Sequence, residues 1–314
     1  MSTIERAAAR LGSIGKVRAE PLVRDAIPAA DSKAAEVSAG VGSAERSGSA
    51  NAASEIASSA VLRIGGGYCE LDLDALTAAG FATPQNVNVE IAADLRRIKR
   101  RFLMALKRSV ALGSRALPDN LILVTSSVPG EGKTFVSINL ALSIAAELDR
   151  TVLLVDADVA KNDIARVLGV SYEQGLTDLL QRGSLNPEDV ILQTNVESLS
   201  FLPSGPMLPN VDELFASAKM ARLLRELADR DPERIIIVDA APLLVGTEAT
   251  VLAHLVGHVL VLVEADQTPQ SSVAEALEHL KGCESVSMVL NKARRRPSDH
   301  VSYGYGYGYG SQGS

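Results

Sequence analysis

A series of short apolar runs without polar alternation constrains the fold of this 314-residue sequence more than any other feature. Strands that are buried on both faces read as continuous apolar runs, and helical segments lie between most of the runs in this chain. This pattern predicts a parallel α/β sheet with helices on both faces and right-handed crossovers. The runs are LILVTS (121–126), TVLLVD (151–156), LSFLPS (199–204), RIIIVD (234–239), HVLVLVE (258–264) and SVSMVLN (285–291).

Charge and cysteine content exclude several function classes. The formal net charge of −7 does not favour non-specific binding to nucleic acid, so we expect no nucleic-acid partner. The two cysteines, Cys69 and Cys283, lie far apart and form neither a metal-binding spacing nor a disulfide framework. A reducing cytosol is the natural interpretation of that usage.

The stretch SSVPGEGKTF follows the first of these strands and opens a helix at about Lys133. Glycines let backbone N–H groups approach phosphate oxygens, and the helix N-terminus adds positive potential. In such a loop Lys133 would reach the β- and γ-phosphates, and Thr134 would ligate Mg²⁺. Ser127 stands where the strict phosphate-loop pattern has its first glycine. We therefore predict a P-loop NTPase-like fold whose cofactor-binding residues are Pro129, Gly130, Glu131, Gly132, Lys133, Thr134, Phe135 and, at the end of a later strand, Asn291.

Three aspartates follow two of the predicted strands. Asp156 and Asp158 end TVLLVDAD, and Asp239 ends RIIIVD. The carboxyl ends of parallel strands gather along one edge, where ligands bind. Each acid alone could be a helix cap or a turn residue. Three of them facing one phosphate loop favour Mg²⁺ handling and proton acceptance.

Together with a terminal tyrosine cluster, the stretches SSVPGEGKT, VLLVDADVAK and IIIVDAAPLL resemble the bacterial tyrosine autokinases of exopolysaccharide and capsule synthesis. The resemblance runs from about Glu90 to the C-terminus. A weaker similarity, carried by MSTIERAAARL and by ELDLDALTAAGFATP with IAADLRRIKR, is to the branch found in exosortase (PEP-CTERM) loci.

The resemblance implies an ATP-dependent protein-tyrosine kinase that regulates exopolysaccharide polymerisation and export, with ATP and Mg²⁺ as cofactors. It makes Lys133, Asp156, Asp158 and Asp239 the catalytic residues, and Thr134, Asp156 and Asp239 the metal ligands. Asp156 is the candidate for accepting the tyrosine proton, and the other two acids would act through Mg²⁺ and its water. Asn291 stands where relatives often contact adenine, although an asparagine that starts a turn would look the same.

Three positions depart from the patterns of related families. One alternative function is that of a non-kinase ATPase acting as a nucleotide-dependent switch on a membrane-associated partner. Many cell-division-site and plasmid-partition ATPases carry a lysine where this chain has Val128, and this difference weakens that alternative. The second acidic motif continues with residues 159–162, VAKN, and so lacks one arginine of the family pattern. Val211 replaces a proline in NVDEL.

Composition divides the chain into five segments. Residues 1–28 form an amphipathic segment with a short helix over 2–11, and residues 29–60 are a flexible linker rich in Ala, Ser, Gly and Glu. Residues 61–89 form a small docking element, residues 90–292 the P-loop kinase domain, and residues 293–314 a tyrosine-rich tail.

Four of the six tyrosines of the chain lie in this tail, alternating with glycine. The predicted autophosphorylation sites are Tyr303, Tyr305, Tyr307 and Tyr309. Residues 292–303 span at most about 40 Å when fully extended, which permits attack in cis or in trans. Alternating polar and aromatic residues also self-associate, so an assembly module remains an alternative reading of the tail.

The resemblance also implies partners. They are further copies of this chain in a homo-oligomer such as a ring, a transmembrane co-polymerase-like activator and a tyrosine phosphatase, with the chain cytoplasmic and peripheral at the inner membrane. The family's Glu-x-x-Arg-x-x-Arg oligomerisation spacing falls on Ala93, Arg96 and Lys99, without the acid, while Asp94, Arg97 and Arg100 fit it one residue later. A solvated basic helix face, or one near anionic lipid, is the alternative.

Overall fold

The computed structural model describes residues 18–23, 66–85, 89–112, 117–231 and 233–293. The predicted helix over 2–11, the linker over 29–60 and the tyrosine cluster therefore lie outside the described residues.

Nine strands form one sheet in the order β1-β9-β8-β3-β7-β4-β6-β5-β2. Every neighbouring pair is parallel except β5 and β6, which are antiparallel. The predicted parallel α/β sheet is confirmed. The strands are β1 (Arg18–Val23), β2 (Tyr68–Cys69), β3 (Leu121–Ser126), β4 (Thr151–Asp156), β5 (Leu192–Thr194), β6 (Leu199–Leu202), β7 (Arg234–Asp239), β8 (His258–Glu264) and β9 (Val286–Ala293).

Ten helices connect and cover the strands within the described residues. The helix predicted over about 90–110 is found as α2, one residue longer at its start and two at its end. The helices are α1 (Leu73–Ala78), α2 (Val89–Leu112), α3 (Lys133–Ala145), α4 (Asp163–Leu168), α5 (Leu176–Gln181), α6 (Pro187–Val190), α7 (Val211–Phe215), α8 (Ala218–Arg230), α9 (Glu248–Ala253) and α10 (Gln270–Glu278).

Successive residues of the central strand β3 feed two separate apolar cores. Leu121 and Leu123 point to the core that α5 to α10 cover. Ile122 and Val124 point to the core covered by α1 to α4. Because both faces of β3 are dry, its sequence shows no polar alternation. Both layers hold the same central strand rigid, and the phosphate loop starts from its end.

Two strands, β1 and β2, form the two edges of the sheet. β1 pairs in parallel with β9 and forms one edge, where Pro21 is tolerated because an edge strand needs only one side of its backbone ladder. The sequence alone predicts no strand there, because six residues with a central proline carry only a weak strand signal. β2 pairs with β5 at the opposite edge, and α1 follows it with Asp72 as the N-cap.

Among the described helices, none combines the length and apolarity that crossing a bilayer requires.

Candidate active site

The loop between β3 and α3 adopts a backbone that favours glycine at two positions. Gly130 and Gly132 both have φ of 91°, in the left-handed region where a Cβ is costly. A Cβ on Gly132 would also lie 2.3 Å from the Asn291 Nδ2 atom. The loop therefore keeps a compact shape, with bare backbone leading into the first turn of α3.

Lys133, the first residue of α3, lies among the predicted carboxylates. Its Nζ atom is 2.6 Å from Asp158 Oδ2 and 3.7 Å from Asp239 Oδ2. Asp156 and Asp239 are register partners on the adjacent strands β4 and β7. The four residues predicted to be catalytic thus lie together at one sheet edge, and all of them are buried.

Burial and mutual repulsion shift the titration of this cluster. Desolvation, followed by the charge of Asp239, raises the pKa of Asp156 to about 8. Desolvation also raises the pKa of Asp239, although Lys133 acts against that shift. Burial alone would lower the pKa of Lys133, but the charges of Asp239 and Asp158 outweigh it and raise that pKa. Lys133 is therefore cationic, and the protonated form of Asp156 predominates at neutral pH.

Asp239 is held by two hydroxyl groups of α3. Thr134 Oγ1 donates to Asp239 Oδ2 at 2.7 Å, and Ser137 Oγ donates to Asp239 Oδ1 at 2.8 Å. Sequence reasoning missed Ser137. It lies one helical turn after Lys133, on the same face of the helix, and that spacing was the available signal.

Asp156 also shapes the turn that follows β4. Its Oδ1 atom accepts from the Asp158 backbone N–H at 3.1 Å, and its Oδ2 atom accepts from the Ile164 N–H at 3.3 Å. The side chain therefore has a structural contribution, as expected for a strand-end aspartate, in addition to its place in the charged cluster.

Four further residues predicted to bind the cofactor lie in three different environments. Pro129 and Gly130 are exposed at the tip of the loop. The Phe135 ring instead packs against Phe81 at a centroid distance of 4.6 Å, so it faces the core beside α1. Asn291 is buried, and its amide donates to the Glu131 carbonyl oxygen at 2.7 Å, which directs this side chain to the loop backbone.

The oxygen donors of the site fit a magnesium ion that arrives with a nucleotide. Thr134 supplies a hydroxyl oxygen, and Asp156 and Asp239 supply carboxylates beside it. Within the part of the chain that the structure describes, no three His, Cys, Asp or Glu side chains form a cluster that could hold a metal alone. Mg²⁺ is usually bound by one or two carboxylates together with phosphates and water, so the donor set suits it.

Comparison with known proteins places this site in a family. Residues 120–289 match the model described as AAA domain, which covers more than half of the chain. The tyrosine-protein kinase YwqD of Bacillus subtilis is 31% identical over 183 residues, which are 58% of this chain and 76% of YwqD. The chain belongs to the bacterial tyrosine-protein kinases.

Other members of the family differ in length and agree in fold. A putative tyrosine-protein kinase EpsB from Ralstonia nicotianae is 31% identical over 57% of this chain, but that region is only 23% of EpsB. The solved kinase domain of the Escherichia coli tyrosine kinase ETK superposes with a TM-score of 0.58 at 28% identity, covering 69% of this chain and 81% of that domain. The family resemblance and the P-loop fold predicted from the sequence are both confirmed.

Proposed function

We propose that this kinase uses ATP and Mg²⁺ to phosphorylate Tyr303, Tyr305, Tyr307 and Tyr309 of its own C-terminal tail. The observation that carries the proposal is the buried cluster in which Lys133 pairs with Asp158 and Asp239 at the phosphate loop. A buried lysine whose ion-pair partners are both carboxylates is available to a phosphate group that displaces one of them.

Each residue of the cluster has a defined part in this reaction. The N-terminus of α3 and Lys133 bind the phosphates, and the lysine neutralises charge that develops on the transferred group. Thr134, Asp156 and Asp239 would hold Mg²⁺, which supplies positive charge that also favours the ionised form of nearby carboxylates. The tyrosine oxygen bonds to the γ-phosphorus as the bond to ADP breaks.

The tyrosine proton passes to a carboxylate of the cluster. Asp156 is the proposed acceptor, and it accepts only after losing the proton that its raised pKa favours at neutral pH. Asp158 is the second candidate, because Lys133 leaves its Oδ2 atom when the lysine binds phosphate. An adenine contact by Asn291 belongs to the same proposal.

The setting of the reaction is also part of the proposal. We infer that the chain works at the cytoplasmic side of the inner membrane, in homo-oligomers and with a transmembrane co-polymerase-like activator. A tyrosine phosphatase would reset the tail, and the cycle would regulate exopolysaccharide polymerisation and export. The runner-up is an ATPase without kinase activity that switches a membrane-associated partner with its nucleotide state.

Replacement of Lys133 tests the proposal. Purified wild-type protein incubated with Mg·ATP should carry phosphate on the tryptic peptide 296–314, which contains all four tail tyrosines. Lys133→Met should abolish this phosphorylation, because the transferred group loses its cation, and the fold should persist. The matched control is Lys281→Met, an exposed lysine that pairs with Glu278 at the far end of α10.

The readout is mass spectrometry of the peptide together with ATP hydrolysis. Wild-type protein that hydrolyses ATP but never phosphorylates the tail would support the switch ATPase. Normal tail phosphorylation in Lys133→Met would refute the assignment of the site.

A further inference from the structure

Glu131, the residue between the two glycines, turns its side chain away from the mouth of the phosphate loop. It is 1% exposed. Its Oε2 atom accepts from the Val128 N–H of the same loop at 2.8 Å. Its Oε1 atom accepts from the Glu264 N–H at 3.1 Å and from the Thr268 hydroxyl at 2.5 Å. One carboxylate therefore ties the loop to the end of β8.

Two side chains at the end of β9 hold the outer, carbonyl side of the same loop. Asn291 Nδ2 donates to the Glu131 carbonyl oxygen at 2.7 Å, and Lys292 Nζ donates to the Gly130 carbonyl oxygen at 2.8 Å. Lys292 Nζ also lies 2.8 Å from Glu264 Oε2. None of these contacts involves the four catalytic residues.

Because of the geometry of the peptide bond, contacts to the loop carbonyl groups also determine where the loop N–H groups point. In a trans peptide the C=O and N–H groups point in opposite directions. Holding the Gly130 carbonyl oxygen therefore directs the Glu131 N–H to the other side of the loop, and holding the Glu131 carbonyl oxygen does the same for the Gly132 N–H. Backbone N–H groups are what a phosphate loop offers to its ligand.

We propose that Glu131, Glu264, Asn291 and Lys292, which we call the loop brace, are positioning residues that orient the phosphate-binding N–H groups of residues 131 and 132. The inference rests on the proposed nucleotide site, but it does not depend on tyrosine transfer. It places Lys292, where the chain leaves β9 for the tail, in control of phosphate affinity.

Lys292→Met and Glu264→Gln test the brace, since both residues are partly exposed and neither supports the core. The affinity for a fluorescent ADP is measured directly. The affinity for inorganic tripolyphosphate is measured by its displacement of the bound fluorescent ADP. Both variants should bind both ligands about tenfold more weakly, because Lys292→Met removes the donor to the Gly130 carbonyl oxygen and Glu264→Gln removes the negative charge that holds Lys292 in place. Lys292→Arg should retain most of the affinity, and Lys281→Met should match the wild type.

Glu264→Gln separates positioning from simple electrostatics. Removing a negative charge near the loop would strengthen phosphate binding if charge alone mattered, whereas loss of the brace weakens it. Stronger binding by Glu264→Gln, or unchanged binding by both variants, would overturn the proposal. A loss confined to ADP, with tripolyphosphate unaffected, would also overturn it, because Lys292 would then contact the nucleoside.

Protein stability and kinase activity are each checked separately from phosphate affinity. Thermal denaturation without nucleotide should give the same midpoint for Lys292→Met and the wild type. A wild-type protein that binds ADP but does not phosphorylate its tail would refute the proposed kinase activity and leave the brace intact.

Discussion

At the scale of single residues, the site compensates its own buried charges. Lys133 is 5% exposed and Asp158 is 3% exposed, so neither charge has bulk water to stabilise it. An unpaired buried charge is strongly unfavourable, and each therefore requires the other when no ligand is present. Asp156 has no cation at contact distance among the described ion pairs, and desolvation, followed by the charge of Asp239, raises its pKa.

The titration of Asp156 predicts a pH effect on stability. Its pKa of about 8 lies above the ordinary value of 3.8. The protonated carboxyl group therefore stabilises the folded protein. This contribution is fully present at pH values below the pKa of Asp156 in the unfolded chain, and it is lost as pH rises through its pKa in the folded protein. In nucleotide-free protein with EDTA, the melting temperature of the wild type should fall more between about pH 6 and about pH 9 than that of Asp156→Asn. Equal slopes would show that Asp156 is already ionised in the fold.

At the scale of elements, one side chain replaces part of a backbone ladder. The Asn195 amide oxygen accepts from the Leu71 N–H at 3.0 Å, and its Nδ2 atom donates to the Leu71 carbonyl oxygen at 3.0 Å. Leu71 lies between β2 and α1, and its side chain is 2% exposed. The amide thus joins the segment 66–85 to the turn between β5 and β6.

Asn195→Ala should loosen this segment without unfolding the sheet. Two hydrogen bonds to buried backbone groups are lost, which costs about 2 kcal/mol. Hydrogen exchange at the Leu71 amide should accelerate, while exchange in β3 and β7 should not change. Glu197→Ala, an exposed change in the same turn, is the control. Equal protection of Leu71 in both variants would contradict the predicted role.

At the scale of the whole molecule, α2 presents a basic surface. A cavity of about 350 Å³ is lined by Arg96, Lys99, Arg100, Leu103, Met104 and Glu147. The Lys99 ammonium group already has partners within the chain, since it pairs with Glu147 and donates to the Ser143 carbonyl oxygen at 2.9 Å. Asp94 is 4% exposed and pairs with Arg97. A contact between copies through this helix would therefore depend on its arginines.

Tail phosphorylation should loosen assemblies of the kinase. Each phosphotyrosine adds about −1.5 to −2 charge at neutral pH, so four add on the order of −6 to −8. A phosphorylated tail is repelled by the site carboxylates and by bound nucleotide phosphates. Light scattering should show a lower mass for the wild type after Mg·ATP, while a variant with Phe at the four tail tyrosines stays assembled. Matching masses in all samples would refute the proposal.

The sequence by itself determined the framework of the kinase. Apolar runs buried on both faces predicted β3, β4, β7 and β8, because such strands cannot alternate with polar residues. The order of strand, glycine-rich loop and helix located Lys133 and Thr134, because phosphate binding needs a flexible loop at a helix N-terminus. Strand-end positions also predicted that Asp156, Asp158 and Asp239 would meet, since parallel strands end at one edge.

Only the tertiary structure decided which side chains support that framework. Ser137, Glu264 and Lys292 are common surface residue types in the sequence, and they acquire roles through partners that lie far away along the chain. Phe135 follows the motif directly, yet its ring packs against Phe81 because α3 turns that face toward the core. Local patterns specify which residues form an element and which edge it reaches. Partners distant in sequence are set by how the elements pack, and no local pattern contains that information.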